Sequence, residues 1–267
     1  MPNNSFQTHE NNKDIILEGI ISIEAAIKSG HRKIFNVYAD KDKYDKRDRK
    51  AIRFISFLKK EDIKYTLCER SFIDSITDGT THGGFAATVS ERTYSNFEDL
   101  LKHFSSQKNS YAVYLDGVED PFNFGYSIRN LFAFGCKNFI VPQRNWMSAA
   151  STVSKASAGA SELCNICIAP NDDDALKLIR KHGIKIVCAG LSAASVALNK
   201  FSCEHPFILF IGGEKRGISK LFFENADTVV HIPYSNSDAT YSLPTASCAA
   251  IFGNYLSNIN EKAEDDT

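Results

Sequence analysis

The sequence predicts an α/β protein of two domains, the second of which contains a parallel sheet. Residues 111–142 run through an apolar stretch, a turn-rich segment, a helical pattern and a second apolar stretch, which is the order of a βαβ unit. The alternation continues with an amphipathic stretch at residues 176–182 and apolar stretches at residues 184–188 and 207–211. A chain of 267 residues is long enough for two modest domains.

Composition narrows the class of protein. The chain has 31 Lys and Arg against 32 Asp and Glu, so its formal net charge of −1 argues against a surface that is basic all over, but not against a local basic patch. Seven cysteines include only one CxxC-like pair, Cys164 and Cys167, which predicts buried thiols and no metal. Without a signal peptide or a long apolar run, we expect a soluble cytoplasmic protein with no membrane partner.

The first domain is predicted to span residues 14–92, after a polar and disordered tail at residues 1–13. Its expected elements are a helix that ends at Gly30, a helix through residues 52–58, and strands at residues 34–38, 64–68 and 85–89. Residues 93–110 are predicted to form a linker that carries one helix, and residues 111–267 to form the second domain.

Basic side chains in the first domain suggest a phosphate-binding face. They are Arg32, Lys33, Arg47, Arg49, Lys50 and Arg53. Four aspartates interleave with them: Asp40, Asp42, Asp45 and Asp48. A solvated surface of mixed charge therefore explains this segment about as well as an RNA-contact surface does.

The second domain opens with its most informative stretch. A buried strand at residues 111–115 is expected to end at Asp116, and Asp120-Pro121 to form a turn. A helix is predicted to follow, with Asn123 as its N-terminal cap and Gly135 at its C-terminal end. The carboxyl end of such a strand is where ligands bind in open α/β sheets.

Arg129 lies one to two turns into this helix and does not belong to its apolar face. That face consists of Ile128, Leu131 and Phe132. The pattern Gly-x-Gly-x-x-Gly is absent between Asp116 and Arg129, which disfavours a dinucleotide-dependent oxidoreductase.

Two further motifs follow in order. An apolar strand at residues 207–211 leads into Gly212-Gly213-Glu214, a glycine loop with one carboxylate whose backbone amides can bind polar groups. The third motif begins at His231-Ile232-Pro233 and resumes at Ser242-Leu243-Pro244-Thr245. A helix rich in small residues comes next and is predicted to pack closely against a neighbour.

In this order the motifs resemble those of the SpoU/TrmH family of RNA 2′-O-ribose methyltransferases, which belongs to the SPOUT superfamily. The matching patterns are Asp120-Pro121-x-Asn123-x-Gly125-x-x-x-Arg129, then Gly212-x-Glu214-x-x-Gly217, then Ile232-Pro233 with Ser242-Leu243. Leu17-Glu18-Gly19 and the segment at residues 82–87 resemble the N-terminal substrate-binding domain of that family. The resemblance covers about residues 17–256.

The resemblance implies a C-terminal trefoil-knotted methyltransferase domain, S-adenosylmethionine as cofactor, no metal, and a homodimer that acts on RNA, with rRNA favoured over tRNA. It implies catalytic roles for four residues: Arg129, Asn123, Glu214 and Ser242. It implies cofactor binding by five: Gly212, Ile232, Leu243, Leu209 and Pro233. We favour Arg129 as a phosphate-binding group, since arginine is a poor base; the rival assignment gives it the proton of the ribose hydroxyl.

Two features depart from the family pattern. Pro244 replaces the usual Asn after Ser242-Leu243, and the segment between Pro233 and Ser242 is about two residues longer than the resemblance leads us to expect. Pro244 keeps open an RNA-binding relative with weak or no methyl transfer. Two further alternatives are a base-directed methyltransferase of the same superfamily, which Asn123 with Arg129 disfavours, and a non-enzymatic nucleotide-binding α/β protein, which the agreement of three ordered motifs disfavours. The sequence does not identify the target RNA or nucleotide.

Overall fold

The computed structural model describes residues 15–106, 111–143, 149–202, 205–236 and 242–265, and for residues 105 and 259–265 it describes the backbone alone. The tail predicted at residues 1–13 lies outside the described residues. So do residues 107–110 of the predicted linker and residues 237–241 of the long segment before Ser242.

The N-terminal domain is a four-stranded sheet covered by helices. Its elements are β1 (Ile15–Glu18), α1 (Ile20–Ser29), β2 (Ile34–Asp40), α2 (Lys41–Asp45), α3 (Arg49–Lys60), β3 (Tyr65–Cys68), α4 (Arg70–Ile76) and β4 (Phe85–Val89). The strand order is β1-β4-β2-β3, and only β2 and β3 run parallel. The predicted strands and both predicted helices are confirmed. Three elements were not predicted: strand β1 and helices α2 and α4. The two helices, at five and seven residues, are too short to show helical periodicity.

Helix α3 illustrates why this sequence folds locally as it does. Its buried residues, Ala51, Phe54, Ile55 and Leu58, recur at positions i, i+3, i+4 and i+7 and therefore share one face. The carboxylate of Asp48 caps the helix by accepting a hydrogen bond from the Ala51 amide at 2.9 Å. The buried face packs with α1 and the sheet in one apolar core.

Helix α5 (Phe97–Ser105) confirms the helix predicted within the linker. Its apolar residues Phe97, Leu100, Leu101 and Phe104 are buried in a core shared with the second sheet. The Ser95 amide also donates to the Ile166 carbonyl at 3.0 Å. This segment is therefore packed onto the C-terminal domain.

The C-terminal domain is a seven-stranded, wholly parallel sheet with helices on both faces. Its elements are β5 (Tyr111–Asp116), α6 (Pro121–Ala133), β6 (Asn138–Pro142), α7 (Ala150–Ala156), α8 (Ala160–Leu163), β7 (Asn165–Ala169), α9 (Asp172–Lys181), β8 (Lys185–Ala189), β9 (Val196–Ala197), β10 (Phe207–Gly212), α10 (Lys220–Glu224), β11 (Thr228–His231) and α11 (Thr245–Asp265). The strand order is β7-β6-β5-β10-β8-β11-β9. The predicted α/β fold with a parallel sheet is confirmed, while the trefoil knot stays a prediction.

The strand order creates a switch point between β5 and β10. From β5 the chain moves outward to β6 and β7, whereas β10 inserts next to β5 and the chain then continues to β11 on the other side. The loops after β5 and β10 therefore diverge and leave a crevice at the carboxyl ends of these strands. Ligands of open α/β sheets bind at such a crevice.

The cap of α6 differs from the prediction. Asp120, and not Asn123, is the cap residue: its carboxylate accepts a hydrogen bond from the Asn123 backbone amide at 2.8 Å, and Pro121 occupies the first turn. Proline favours the first helical position, because its φ is already helical and its missing N–H needs no partner there. The correction leaves the Asn123 side chain free for another role.

Helix α11 packs along α6 through small residues. Ala249 is fully buried, and a Cβ added to Gly253 would lie 3.0 Å from the Phe134 ring. The predicted close packing is confirmed, but the neighbour belongs to the same chain, so the small residues of α11 are explained without a second subunit. In the described part of the chain, no helix is long and apolar enough to cross a membrane.

The two domains meet where α1 and β1 contact α7 and α8. Gly159, which directly precedes α8, packs so closely that a Cβ there would lie 2.9 Å from Ala25 and 3.0 Å from the Ile21 carbonyl oxygen. Arg32 is buried at this junction and bonded to Glu162. Arg32 therefore does not belong to the predicted phosphate-binding face.

Candidate active site

The loops of the first two motifs are joined backbone to backbone. Asp116 and Gly212 pair at the carboxyl ends of β5 and β10, and the Gly213 amide donates to the Asp116 carbonyl at 2.7 Å. A Cβ added to Gly213 would lie 2.0 Å from the Gly117 carbonyl oxygen, and Gly117 itself has φ of 67°. Only glycine fits such an approach, so both glycines are required for the loops to meet.

A side-chain hydrogen bond connects the first two motifs across the crevice. The Asn123 amide nitrogen Nδ2 donates to Glu214 Oε1 at 3.1 Å, although the two residues are 91 positions apart in the chain. The bond fixes which end of the Asn123 amide faces Glu214 and leaves the amide oxygen of Asn123 available as an acceptor. Two residues predicted as catalytic are thus brought together.

Arg129 is exposed on α6, and within the described residues its guanidinium has no hydrogen bond or ion pair. It lies on the same helix face as Phe122 and Tyr126, since the three positions are spaced i, i+4 and i+7. These two aromatic side chains are 52% and 44% exposed. A free guanidinium beside exposed aromatic rings is a surface suited to phosphates and unstacked bases.

The third motif docks on the second. The Thr245 hydroxyl donates to the Gly212 carbonyl at 3.2 Å, and Asn130 Nδ2 of α6 donates to the Ala246 carbonyl at 2.8 Å. Leu243 is half-buried and lies two positions before Thr245 in the chain, so it is close to the contact with Gly212. Ile232 directly follows β11 and packs against the apolar core. Predicted cofactor residues from two distant motifs therefore line the same edge of the sheet.

The remaining predicted residues lie differently. Ser242 and Pro233 are exposed on the two sides of the undescribed stretch at residues 237–241. Leu209 is buried within β10, three positions before Gly212, where it pairs with both neighbouring strands. The structure does not bring Leu209 to the loop edge, and its cofactor role stays a prediction.

Asp116, to which the sequence analysis assigns no role, is a buried carboxylate that stabilises the candidate site. Asp116 is 5% exposed, and its Oδ2 accepts a hydrogen bond from the Ser219 amide at 2.7 Å, which fixes the far end of the Gly212–Ser219 loop. Burial, followed by the negative charge of Asp116, raises the pKa of the Cys188 thiol to about 12. The sequence feature that could have indicated this role is an acidic residue at the last position of an otherwise apolar strand.

The thiols of the CxxC-like pair are buried, as predicted. Burial raises the pKa of Cys164 and of Cys167 to about 12, so both stay protonated at neutral pH. Among the residues that the structure describes, no group of three or more His, Cys, Asp or Glu is arranged to hold a metal ion.

Glycine loops at the switch point of a parallel sheet, an Asn–Glu pair and an exposed arginine lie on elements where ligands of open α/β sheets bind. A protein-family model described as the SpoU rRNA Methylase family matches residues 110–253. A second model, described as RNA 2′-O ribose methyltransferase substrate binding, matches residues 16–95. The chain belongs to the SpoU rRNA methylase family. This confirms the predicted family and the predicted enzyme class, an S-adenosylmethionine-dependent RNA methyltransferase.

Individual relatives agree with this assignment. The chain is 30% identical, over 89% of its length and 92% of the relative's, to the 23S rRNA (guanosine-2′-O-)-methyltransferase RlmB of Blochmanniella floridana. Its fold is similar to the AdoMet-bound rRNA methyltransferase of Sinorhizobium meliloti, with TM-score 0.74, 21% identity and coverage of 92% of this chain and 88% of that chain. The fold is also similar to the SpoU methyltransferase AviRb of Streptomyces viridochromogenes, with TM-score 0.73, 17% identity and coverage of 92% of this chain and 90% of that chain.

Proposed function

We propose that this protein methylates the ribose 2′-hydroxyl of a guanosine in 23S ribosomal RNA. The ribose specificity is carried by the Asn123–Glu214 hydrogen bond beside a free Arg129, the constellation that the family resemblance associates with ribose methylation. The target is supported by relatives named for 23S rRNA guanosine methylation that align over most of both chains, at 30%, 27% and 27% identity.

The residues present fit S-adenosylmethionine. Adenosine needs apolar walls and free backbone donors and acceptors, and Ile232, Leu243 and the Gly212 loop offer both at one sheet edge. The chemistry that the cofactor supplies when bound is an electrophilic methyl group on a positively charged sulfur. No charged side chain is required to hold it, since the loops present backbone groups.

The residues of the chain must then position the ribose hydroxyl, which is a weak nucleophile, for transfer of the methyl group. We assign to Arg129 a bidentate grip on the phosphate next to the target ribose, which a planar guanidinium makes better than an ammonium does. Asn123, held by Glu214, is assigned to orient the ribose hydroxyl. In the overall transfer the C–S bond breaks, an O–C bond forms and the hydroxyl proton leaves, so a fixed acceptor near that hydroxyl favours reaction.

Phe122 and Tyr126 support RNA as the substrate. Single-stranded or looped RNA is recognised by stacking of unstacked bases on exposed aromatic rings, with cationic groups on the backbone. The pair lies on the Arg129 face of α6 and is about half exposed. A methyltransferase for a small metabolite has no need of such an open surface.

The Pro244 departure keeps a second candidate function, RNA binding with weak or no methyl transfer. Pro244 is exposed at the start of α11, where its carbonyl accepts hydrogen bonds from the amides of Ser247 and Cys248. It therefore serves the helix start well but offers no side-chain amide to the substrate. Full cofactor binding without turnover is the outcome that favours this candidate.

We further propose that the enzyme is a cytoplasmic homodimer. The family resemblance supports the dimer, and Ile251, which is 37% exposed on the outer side of α11, is an apolar residue that a second subunit would cover. None of the cysteines that the structure describes forms a disulfide, which supports a reducing compartment. Sedimentation equilibrium at micromolar concentration tests the dimer, and an active monomer contradicts it.

The direct test of the proposed function uses purified protein, methyl-labelled S-adenosylmethionine and 23S rRNA. Digestion to nucleosides separates 2′-O-methylguanosine from base-methylated products. We expect the label in 2′-O-methylguanosine at one position. Label in a base overturns the ribose assignment, label in tRNA alone overturns the target, and cofactor binding with no transfer supports the non-catalytic candidate.

A further inference from the structure

A crevice with a volume of about 600 Å³ lies at the junction of the two domains, away from the candidate active site. Its walls are the start of α1, the first turns of α3 and the loop at residues 81–83 from the N-terminal domain, with Lys155 and Ala158 from the C-terminal domain. None of the residues assigned to catalysis or cofactor binding lines it.

The first turn of α1 opens into this crevice without a cap. The cap position is Gly19, with φ of 82°, no side chain bonds the first amides, and the first turn contains no acidic residue. The first amides of a helix have no partner within the helix and carry a partial positive charge. Ser22, in the same turn, lines the crevice and is 3% exposed, yet within the described residues its hydroxyl has no hydrogen-bond partner.

Cationic side chains surround this turn. Lys43 donates to the Gly83 carbonyl at 2.9 Å and Lys155 to Glu18 at 2.6 Å, so these two are already engaged. Lys50 and Arg53, one turn apart on α3, line the crevice and have no partner in the described part of the chain. The crevice thus offers two free positive charges, free amides and a free hydroxyl.

The acidic groups in the walls are occupied. Glu18, 5% exposed, accepts from Lys155 and, at 2.9 Å, from the Asp78 amide. Asp48 caps α3, and Glu24 pairs with Lys28 at 3.4 Å. Lys155 and Lys28 offset the charges of Glu18 and Glu24, and the Asp48 carboxylate is engaged by a helix-start amide. The side-chain charges left without a partner in the described walls are those of Lys50 and Arg53, so the unused binding capacity of the crevice is for an anion.

We propose that this crevice binds a backbone phosphate of the RNA substrate. Helix-start amides, a hydroxyl and an Arg–Lys pair are the chemistry of phosphate recognition. This inference rests on the proposed function, which supplies the polyanionic ligand, and extends it to a second contact outside the active site. Ala156 of α7 packs on Gly125 of α6, so the wall that carries Lys155 is continuous with the helix that carries Arg129.

The test compares Lys50→Gln/Arg53→Gln with the control Lys59→Gln/Lys60→Gln, two exposed lysines of the same helix that do not line the crevice. The probe is a 23S rRNA fragment in filter binding from 50 to 200 mM salt. We expect the crevice variant to weaken RNA affinity about tenfold and to reduce the slope of log K against log salt by about 1–2, while the control loses less than about twofold. Ser22→Ala, which keeps every charge, is expected to lose about threefold.

The outcomes separate the two proposals. If the parent methylates the fragment and the crevice and control variants bind it equally well, the crevice proposal is wrong and the proposed function stands. If the parent neither binds nor methylates rRNA, the proposed function fails and the crevice proposal fails with it. If inorganic phosphate or guanosine monophosphate binds the parent tightly and the crevice variant not at all, while RNA affinity is unchanged, the site belongs to a small ligand and the RNA assignment is overturned.

Discussion

Arg32 donates a hydrogen bond of 2.9 Å from Nε to Glu162 Oε2, and this buried ion pair joins the two domains. Arg92 lies 3.6 Å from the same carboxylate oxygen and also donates to the carbonyls of Ser161 and Cys164. One buried carboxylate is thus shared by two buried guanidiniums. Their removal from water is costly, so the geometry is retained only while all three groups are present.

Glu162→Ala should therefore destabilise the protein strongly. The substitution leaves two buried guanidiniums without a carboxylate, and breaking a buried pair costs about 3–5 kcal/mol. Urea denaturation measures the change. The control is Lys220→Ala, which removes an exposed pair with Glu224 and should cost less than about 1 kcal/mol. Equal losses for the two variants would show that the junction contributes no more than the surface does.

Arg129→Ala should abolish most methyl transfer while S-adenosylmethionine affinity stays within a few-fold of the parent. Losing a charged hydrogen-bond pair costs about 1.5–3 kcal/mol, and lost positioning adds to this, so we expect at least about a hundredfold fall in rate. Arg129→Lys should restore little activity, because an ammonium lacks the planar fork. A labelled-methyl assay and calorimetry measure the two quantities.

Lys177→Ala, an exposed cation on α9, is the control for charge alone. Retention of more than a tenth of parental activity by Arg129→Ala contradicts the catalytic assignment. Loss of cofactor binding instead indicates a structural role for Arg129.

Asn123→Ala and Glu214→Ala should each lower kcat/KM by about 10- to 100-fold, the loss expected for one charged hydrogen bond at a transition state. Because the two side chains share one bond of 3.1 Å, the double variant should lose less than the sum of the single losses. A coupling energy of about 0.5–3 kcal/mol is expected from the cycle. Fully additive losses mean that the bond has no part in catalysis.

Gly213→Ala should disrupt the site without any change of charge. The new Cβ would lie 2.0 Å from the Gly117 carbonyl oxygen, so the loops after β5 and β10 must separate. We expect a loss of about 1–3 kcal/mol in stability and a loss of cofactor binding by calorimetry. Gly79→Ala, where nothing lies within 4 Å of the added Cβ, should be neutral. A Gly213→Ala protein that binds cofactor normally is incompatible with this geometry.

Asp227 should make stability depend on acid pH. Burial raises the pKa of its carboxyl, but hydrogen bonds from the Ile186 amide at 2.8 Å and from Arg180 at 2.6 Å, with the charge of Lys185, outweigh burial and lower the pKa below its usual value. A depressed pKa in the folded state gives stability that is present above about pH 4 and is lost as pH falls through the folded value.

The measurement for Asp227 is Tm between pH 3 and pH 7 for the parent and Asp227→Asn. We expect the parent to be more stable at pH 6 and the difference to shrink below about pH 4. A difference that is constant over this range, or that grows on acidification, contradicts the assigned shift.

Much of the fold was predictable from local pattern. The apolar strands at β5 and β10, the helix at α6 and the glycine stops are visible because periodicity and turn residues act over a few positions. The cap of α6 shows the limit of this reasoning: Asp120 and Asn123 are both good capping residues, and Pro121 at the first helical position was the feature that distinguished them.

By itself the sequence determined the order of the three motifs, and with it the family and the class of chemistry. Only the tertiary structure decided which residues meet. Asn123 reaches Glu214 across 91 positions, and Arg32 reaches Glu162 across 130, because β10 inserts beside β5 and α1 docks on α8. Contacts of that separation depend on strand order and helix packing, which leave no periodicity in the chain. For this reason the sequence placed Arg32 in a phosphate-binding face, whereas the structure pairs it with Glu162 at the domain junction.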